Sequence, residues 1–178
     1  MIEAMIDIET LDTADTAVVF QIGLVIFEGS EILENHFWNL DVQEQLDRGR
    51  TVSASTVQFW LNPRISAVAY HALGPEGAAV ATNKVLALLH QLLRHREVKQ
   101  VWAKGSFDFN LLENLWAMYL NVEDIDVPVP WKFYQCRDLR TLMKECGVKK
   151  QDVVSHNALN DCQEQLKLLL ECRAKING

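Results

Sequence analysis

The sequence predicts an α/β domain: a mixed five-stranded sheet, three antiparallel strands first and then two strand–helix units, flanked by helices. Three observations carry that expectation. Residues 2–8 alternate in a period of two, and the β-rich run 16–27 turns at Glu28-Gly29-Ser30 into residues 31–40. From residue 98 onward, short β-type runs alternate with apolar stripes at helical spacing. With 178 residues, 49 % of them hydrophobic, the chain can bury a real core as one domain over 1–178.

Each element has its own reason. The first strand puts Ile2, Ala4, Ile6 and Ile8 on one face and Glu3, Met5 and Asp7 on the other. Ser53 or Ser55 can cap a short helix that ends at Trp60, before Asn62-Pro63. Beyond Gly74-Pro75, Val80, Val85, Leu88, Leu89, Leu92 and Leu93 mark an amphipathic helix. A strand over 98–103 ends at Gly105, and Ser106 caps a helix to about Leu120. Residues 121–130 form an acidic, Pro-bearing loop. A strand near 133–136, a helix over about 137–146 and a closing helix over about 157–175 complete the chain.

Charge narrows the function. There are 17 Lys plus Arg against 24 Asp plus Glu, a net charge of −7. Residues 1–47 hold 11 acids and no base, whereas the remaining 131 residues carry 13 acids and 17 bases. A basic DNA-coating protein is excluded by the charge, and a disordered or collagen-like chain by the composition. The acidic N-terminus lacks the basic start of a signal peptide. The longest apolar run, residues 17–27, contains Gln21 and Gly23 and falls short of the ~20 residues that span a bilayer. Four cysteines without C-x-x-C spacing read as reduced, packed thiols. A cytoplasmic protein with no membrane partner is expected.

The carboxylates are the chemical signal. Asp7 and Glu9 lie two apart on a strand, so they leave one face together and suit a shared divalent cation; the alternative is a wet sheet face. Asp108 heads a stripe with Leu111, Leu112, Leu115 and Tyr119, where an acid is costly to bury unless paired or metal-bound. It also suits the positive end of its own helix. Asp161 sits near the start of the last helix beside Ala158, Cys162, Leu166 and Leu169, with His156 in the entry turn. Four acids and a histidine thus stand on three separated segments, all at strand or helix ends.

In this order the residues resemble the DEDDh exonucleases of the RNase H-like superfamily, the RNase T and DnaQ type. The three motifs are MIDIET at 5–10, KGSFDFNLL at 104–112 and HNALND at 156–161, so the resemblance covers essentially the whole chain. Residues 56–61 (TVQFWL), Arg137 to Thr141 and Gln21-Ile22-Gly23 are similar to the compact phage exonuclease A and small bacterial exoribonuclease branch. Lys104, beside the second motif, departs from a site expected to rely on metals. The resemblance implies an RNase H-like fold in which Asp7, Glu9, Asp108 and Asp161 hold two divalent cations, Mg²⁺ or Mn²⁺. It makes His156 the general base for 3′→5′ hydrolysis at a single-stranded 3′ end, releasing nucleoside 5′-monophosphates.

Phe59, Trp60 and Phe107 are candidates to hold terminal bases, with core packing the alternative for one of Phe59 and Trp60, and Lys149 is a candidate to contact phosphate. The leucine-rich helix over 80–93 offers a face for a homodimer. Two other readings stay open: a non-catalytic binding module on the same fold, and a proofreading subunit acting beside a polymerase.

Overall fold

Residues 1–73, 78–122, 125–149 and 156–178 are described by the computed structural model. The chain opens with a meander. β1 (Ile2–Thr10) pairs antiparallel with β2 (Val19–Glu28), and β2 with β3 (Glu31–Leu40), the second turn being made by Gly29 at φ +62°. Three short helices follow: α1 (Val42–Asp47), α2 (Ala54–Trp60) and α3 (Ser66–Leu73). Ser53 caps α2, its side chain accepting from Thr56 N, as its sequence position suggests. Next come β4 (Ala79–Val80), α4 (Thr82–His95), β5 (Gln100–Ala103) and α5 (Phe107–Leu120). The chain continues through the ribbon β6 (Asn121–Val122) and β7 (Ile125–Asp126), β8 (Cys136–Asp138), α6 (Leu139–Cys146) and α7 (Ala158–Asn177).

The main sheet has six strands in the order β4-β3-β2-β1-β5-β8, one more than expected. The extra strand, β4, is a two-residue parallel partner of β3 that takes Val80 out of the expected helix. β5 runs parallel to β1, and β8 parallel to β5. The sheet's last strand also begins later than expected, at Cys136. Residues Phe133–Gln135 form a 3₁₀ turn instead, because the Gln135 amide donates to the carbonyls of Val98 and Lys99. The small helices α1 and α3 were not anticipated; Asp41 starts α1 by accepting from Glu44 N at 3.0 Å.

Both faces of the sheet are buried. One packs Ala4, Ile6, Ile22, Leu24 and Ile26 against Leu86 and Leu89 of α4 and Leu112 and Leu115 of α5. The other packs Met5, Val25 and Phe27 against Leu139 of α6 and Cys162, Leu166 and Leu169 of α7. The wet-face alternative for the acids of β1 therefore fails. Glu3 is buried, with its carboxylate accepting from Trp102 Nε1 at 2.8 Å and Arg173 Nη2 at 2.6 Å. The apolar stripe of α4 is turned into this core, leaving Leu88 as its exposed leucine. All four cysteines are free thiols. Among the described residues, no helix is long and apolar enough to cross a membrane.

Candidate active site

Register and close packing bring the distant acids together. Asp7 lies opposite Gly23 across the β1–β2 ladder, and Glu9 opposite Gln21. At Gly23 the first turn of α7 rests directly on the strand: a Cβ there would lie 2.3 Å from the carbonyl carbon and oxygen of Ala158. Only glycine lets the helix come so near. The buried Gln21 reinforces the seat, its Oε1 accepting from Ala158 N at 3.5 Å while its Nε2 donates to Asn39 Oδ1. Asn157 caps the helix by accepting from Asn160 N.

Asp161, in the first turn of α7, is thereby carried to the end of β1. Asp7, Glu9 and Asp161 each offer an oxygen, and the three lie within 4.8 Å of one another. One turn further along α7, Gln165 donates Nε2 to Asp7 Oδ1 at 2.6 Å. Asp108 approaches from the other side, in the first turn of α5. It is buried, and its Oδ1 accepts from Ile8 N at 3.3 Å. A cleft of about 460 Å³ opens over these groups, lined by Asp7, Thr13, Lys104, Phe107, Asp108 and Arg140.

Crowded like charges leave a clear electrostatic mark. Burial pushes the Asp7 carboxyl well above the usual aspartate range, and Asp108, Glu9 and Asp161 push it further; the Gln165 amide opposes them. Burial also raises Asp108 to about 6, against the pull of its own and the Ile8 backbone N–H and of Arg140 and Lys104. The thiol of Cys162 beneath the site is raised by burial and by the same aspartates, which makes it inert. Carboxylates converging in this way are a donor set for hard divalent cations.

His156 precedes the cap of α7 with a left-handed backbone, φ +46°. Its ring meets the rings of Phe59 at 5.0 Å and Trp60 at 5.8 Å, both edge-on. Trp60 corrects an expectation. It is a core residue, 4 % exposed, edge-on to Phe20, with its indole N–H donating to Thr10 O at 2.9 Å. No face of it is left for a base. Phe59 remains half exposed, and Phe107 is exposed in the cleft wall while Phe109 is core. Lys149 is exposed but stands beside 150–155, outside the described residues, and nothing described brings it to the cleft.

Sequence reasoning missed Gln165 and the roles of Gln21 and Gly23. The signals were present: Gln165 lies four residues from Asp161, on the same helical face, and Gln21 and Gly23 interrupt an otherwise apolar strand.

Residues 2–173 match the family described as the 3′–5′ exoribonuclease Rv2179c-like domain. The chain belongs to that family. It is therefore a DEDD-type 3′–5′ exonuclease, in line with the three motifs. The chain is also 24 % identical over 202 residues to an exodeoxyribonuclease of Enterobacteria phage T4, covering 95 % of this chain and 88 % of that protein. Among solved structures, exonuclease I of E. coli in a zinc-bound complex with single-stranded DNA superposes with a TM-score of 0.70 at 12 % identity. Its complex with a dA13 oligonucleotide gives 0.67 at 13 %. These alignments cover 98 % and 97 % of this chain but 40 % of exonuclease I, so the likeness is one of fold, the RNase H-like sheet with its flanking helices.

Proposed function

We propose that this family member is a metal-dependent exonuclease that shortens single-stranded RNA or DNA from the 3′ end, releasing nucleoside 5′-monophosphates in the cytoplasm. The observation that carries the reading is the meeting of Asp7, Glu9 and Asp161 oxygens within 4.8 Å, with Asp108 buried alongside. Asp7, Glu9, Asp108 and Asp161 would hold two Mg²⁺ or Mn²⁺ ions. Such ions supply a water activated for in-line attack on the scissile phosphate and charge for the leaving 3′ oxygen.

The chain's own groups do the rest. Gln165 fixes the orientation of Asp7 through its 2.6 Å hydrogen bond. His156 is the general base that takes the proton of the attacking water, a role that contributes roughly 10²–10⁴-fold. Its edge contacts with Phe59 and Trp60 hold the imidazole in place. Lys104 and Arg140, facing Asp108 across the cleft, put positive charge where a phosphate backbone enters. Phe59 and Phe107 offer exposed rings for the terminal bases. Four free thiols suit the reducing cytoplasm.

The deciding experiment follows labelled single-stranded RNA and DNA, with free and blocked 3′ ends, in EDTA, Mg²⁺ and Mn²⁺. Asp7→Asn should abolish monophosphate release, and His156→Ala should slow it by roughly 10²–10⁴-fold, with folding unchanged. A fully active Asp7→Asn protein, or hydrolysis that survives EDTA, refutes the reading.

A further inference from the structure

At the opposite end of the sheet from the carboxylates lies a second surface with a nucleic-acid binder's chemistry. β1, β5 and β8 are parallel, so Asp7, Glu9 and Asp108 stand at the C-terminal ends of β1 and β5, while Lys99 and Tyr134 lie before β5 and β8. Four residues separate Glu3, level with Gln100, from Asp7, a rise of about 13 Å at roughly 3.3 Å per residue. The two surfaces are thus clearly separate.

A polar cleft of about 490 Å³ opens there, rimmed by Arg94, Lys99, Lys132 and Tyr134, with Glu97 as its acid. Phe133, next to it, is 88 % exposed, and Tyr134 is 56 % exposed. Solvent exposure of this kind is unusual for a phenyl ring, and here it is not a matter of a loose loop. The turn is pinned. Gln135 donates to the carbonyls of Val98 and Lys99 and accepts from Lys132 N, while Arg137 donates to Tyr134 O at 2.6 Å. Trp131, immediately before the turn, is core and donates to Glu113. The backbone therefore holds two aromatic rings out in water beside three cations.

We propose that this cleft and its two rings form a second binding site for single-stranded nucleic acid, taking nucleotides upstream of the 3′ end that the carboxylates process. Phe133 and Tyr134 stack on bases, and Arg94, Lys99 and Lys132 contact phosphates. Charge selects the occupant: three bases against one acid favour a polyanion. The rings supply the sequence-tolerant stacking that single strands accept. The proposal rests on the exonuclease reading for its substrate, but it concerns residues outside the catalytic cleft.

The test compares oligonucleotides of about 4 and about 20 nucleotides, chosen because single-strand sites span roughly 4–16. Phe133→Ala/Tyr134→Ala should raise KM for the long substrate by about 30-fold or more, leaving kcat and the short substrate's kcat/KM unchanged. Lys99→Gln/Lys132→Gln should do the same and flatten the salt dependence of KM by about 1.4 in log–log slope. Wild-type KM for the long substrate in both variants overturns the proposal, as does an equal loss on both lengths. So does a dimer in sedimentation that only the aromatic variant dissolves, since the rings would then belong to a second copy. Should hydrolysis itself be lacking, the catalytic reading fails, and fluorescence anisotropy with the long oligonucleotide still reads the cleft through the same variants.

Discussion

Gly23→Ala isolates the contact that assembles the proposed catalytic cleft. The added methyl would lie 2.3 Å from the backbone of Ala158, whereas ordinary contact begins at 3.4 Å. Its neighbour is a helix backbone, which cannot swing aside as a side chain can. The first turn of α7 must therefore retreat by about 1 Å, taking Asp161 and Gln165 away from Asp7. A shift of that size at reacting groups costs about 10²-fold in rate, near 3 kcal/mol of barrier. Overpacking should also lower stability by about 1–3 kcal/mol. The control is Gly29→Ala, where φ is +62° but nothing lies within 4 Å of the new Cβ. It strains the backbone by about 1–2 kcal/mol and leaves the site alone. Urea unfolding and metal-dependent release of nucleotide, measured on both variants, separate the effects. The reasoning is refuted if Gly23→Ala retains the wild-type kcat/KM, or if Gly29→Ala loses as much activity as it.

Other perturbations test other links. Asp108 in the metal-free protein has a folded-state pKa of about 6, above the ordinary 3.8, so it costs stability above pH 6 and nothing below about pH 4. At about 1.4 kcal/mol per pH unit, Asp108→Asn should stabilise the EDTA-treated protein by about 3 kcal/mol near neutrality while abolishing hydrolysis. That gain should vanish at about pH 4 in urea titrations; a variant no more stable than wild type at neutral pH contradicts it. Arg173→Ala removes the cation from Glu3, 3 % exposed at its side chain, while the Trp102 N–H remains, and should destabilise by about 3 kcal/mol. An unchanged melting temperature would show the pair to be idle. Trp60→Phe removes the bond to Thr10 O and should cost about 1 kcal/mol, with catalysis slowed if His156 loses its support. Equal rates for the two proteins would mean that the indole does not position the imidazole.

The sequence was most readable where local chemistry is strong. The alternation of residues 2–8, the Ser53 cap and the three motifs each depend on neighbours a few positions apart, and each lies where it was expected. Long-range consequences were less readable. The burial of Glu3 was not legible because its partners, Trp102 and Arg173, are 99 and 170 residues away. Trp60 looked like a stacking platform because its burial depends on Phe20 and on the carbonyl of Thr10. A strand was expected near 133–136, whereas Gln135's bonds to Val98 and Lys99 curl Phe133–Gln135 into a turn.

The sequence separation of 158 between Asp7 and Gln165 has a bearing on synthesis. The first two acids leave the ribosome early, yet the helix that carries Asp161 and Gln165, and covers one face of the sheet, comes last. A growing chain therefore holds half a cleft beside an uncovered apolar sheet, and so needs shelter from aggregation more than restraint from cutting. The cluster of Asp7, Glu9 and Asp161 therefore comes together only once α7 has been made and has docked on the sheet.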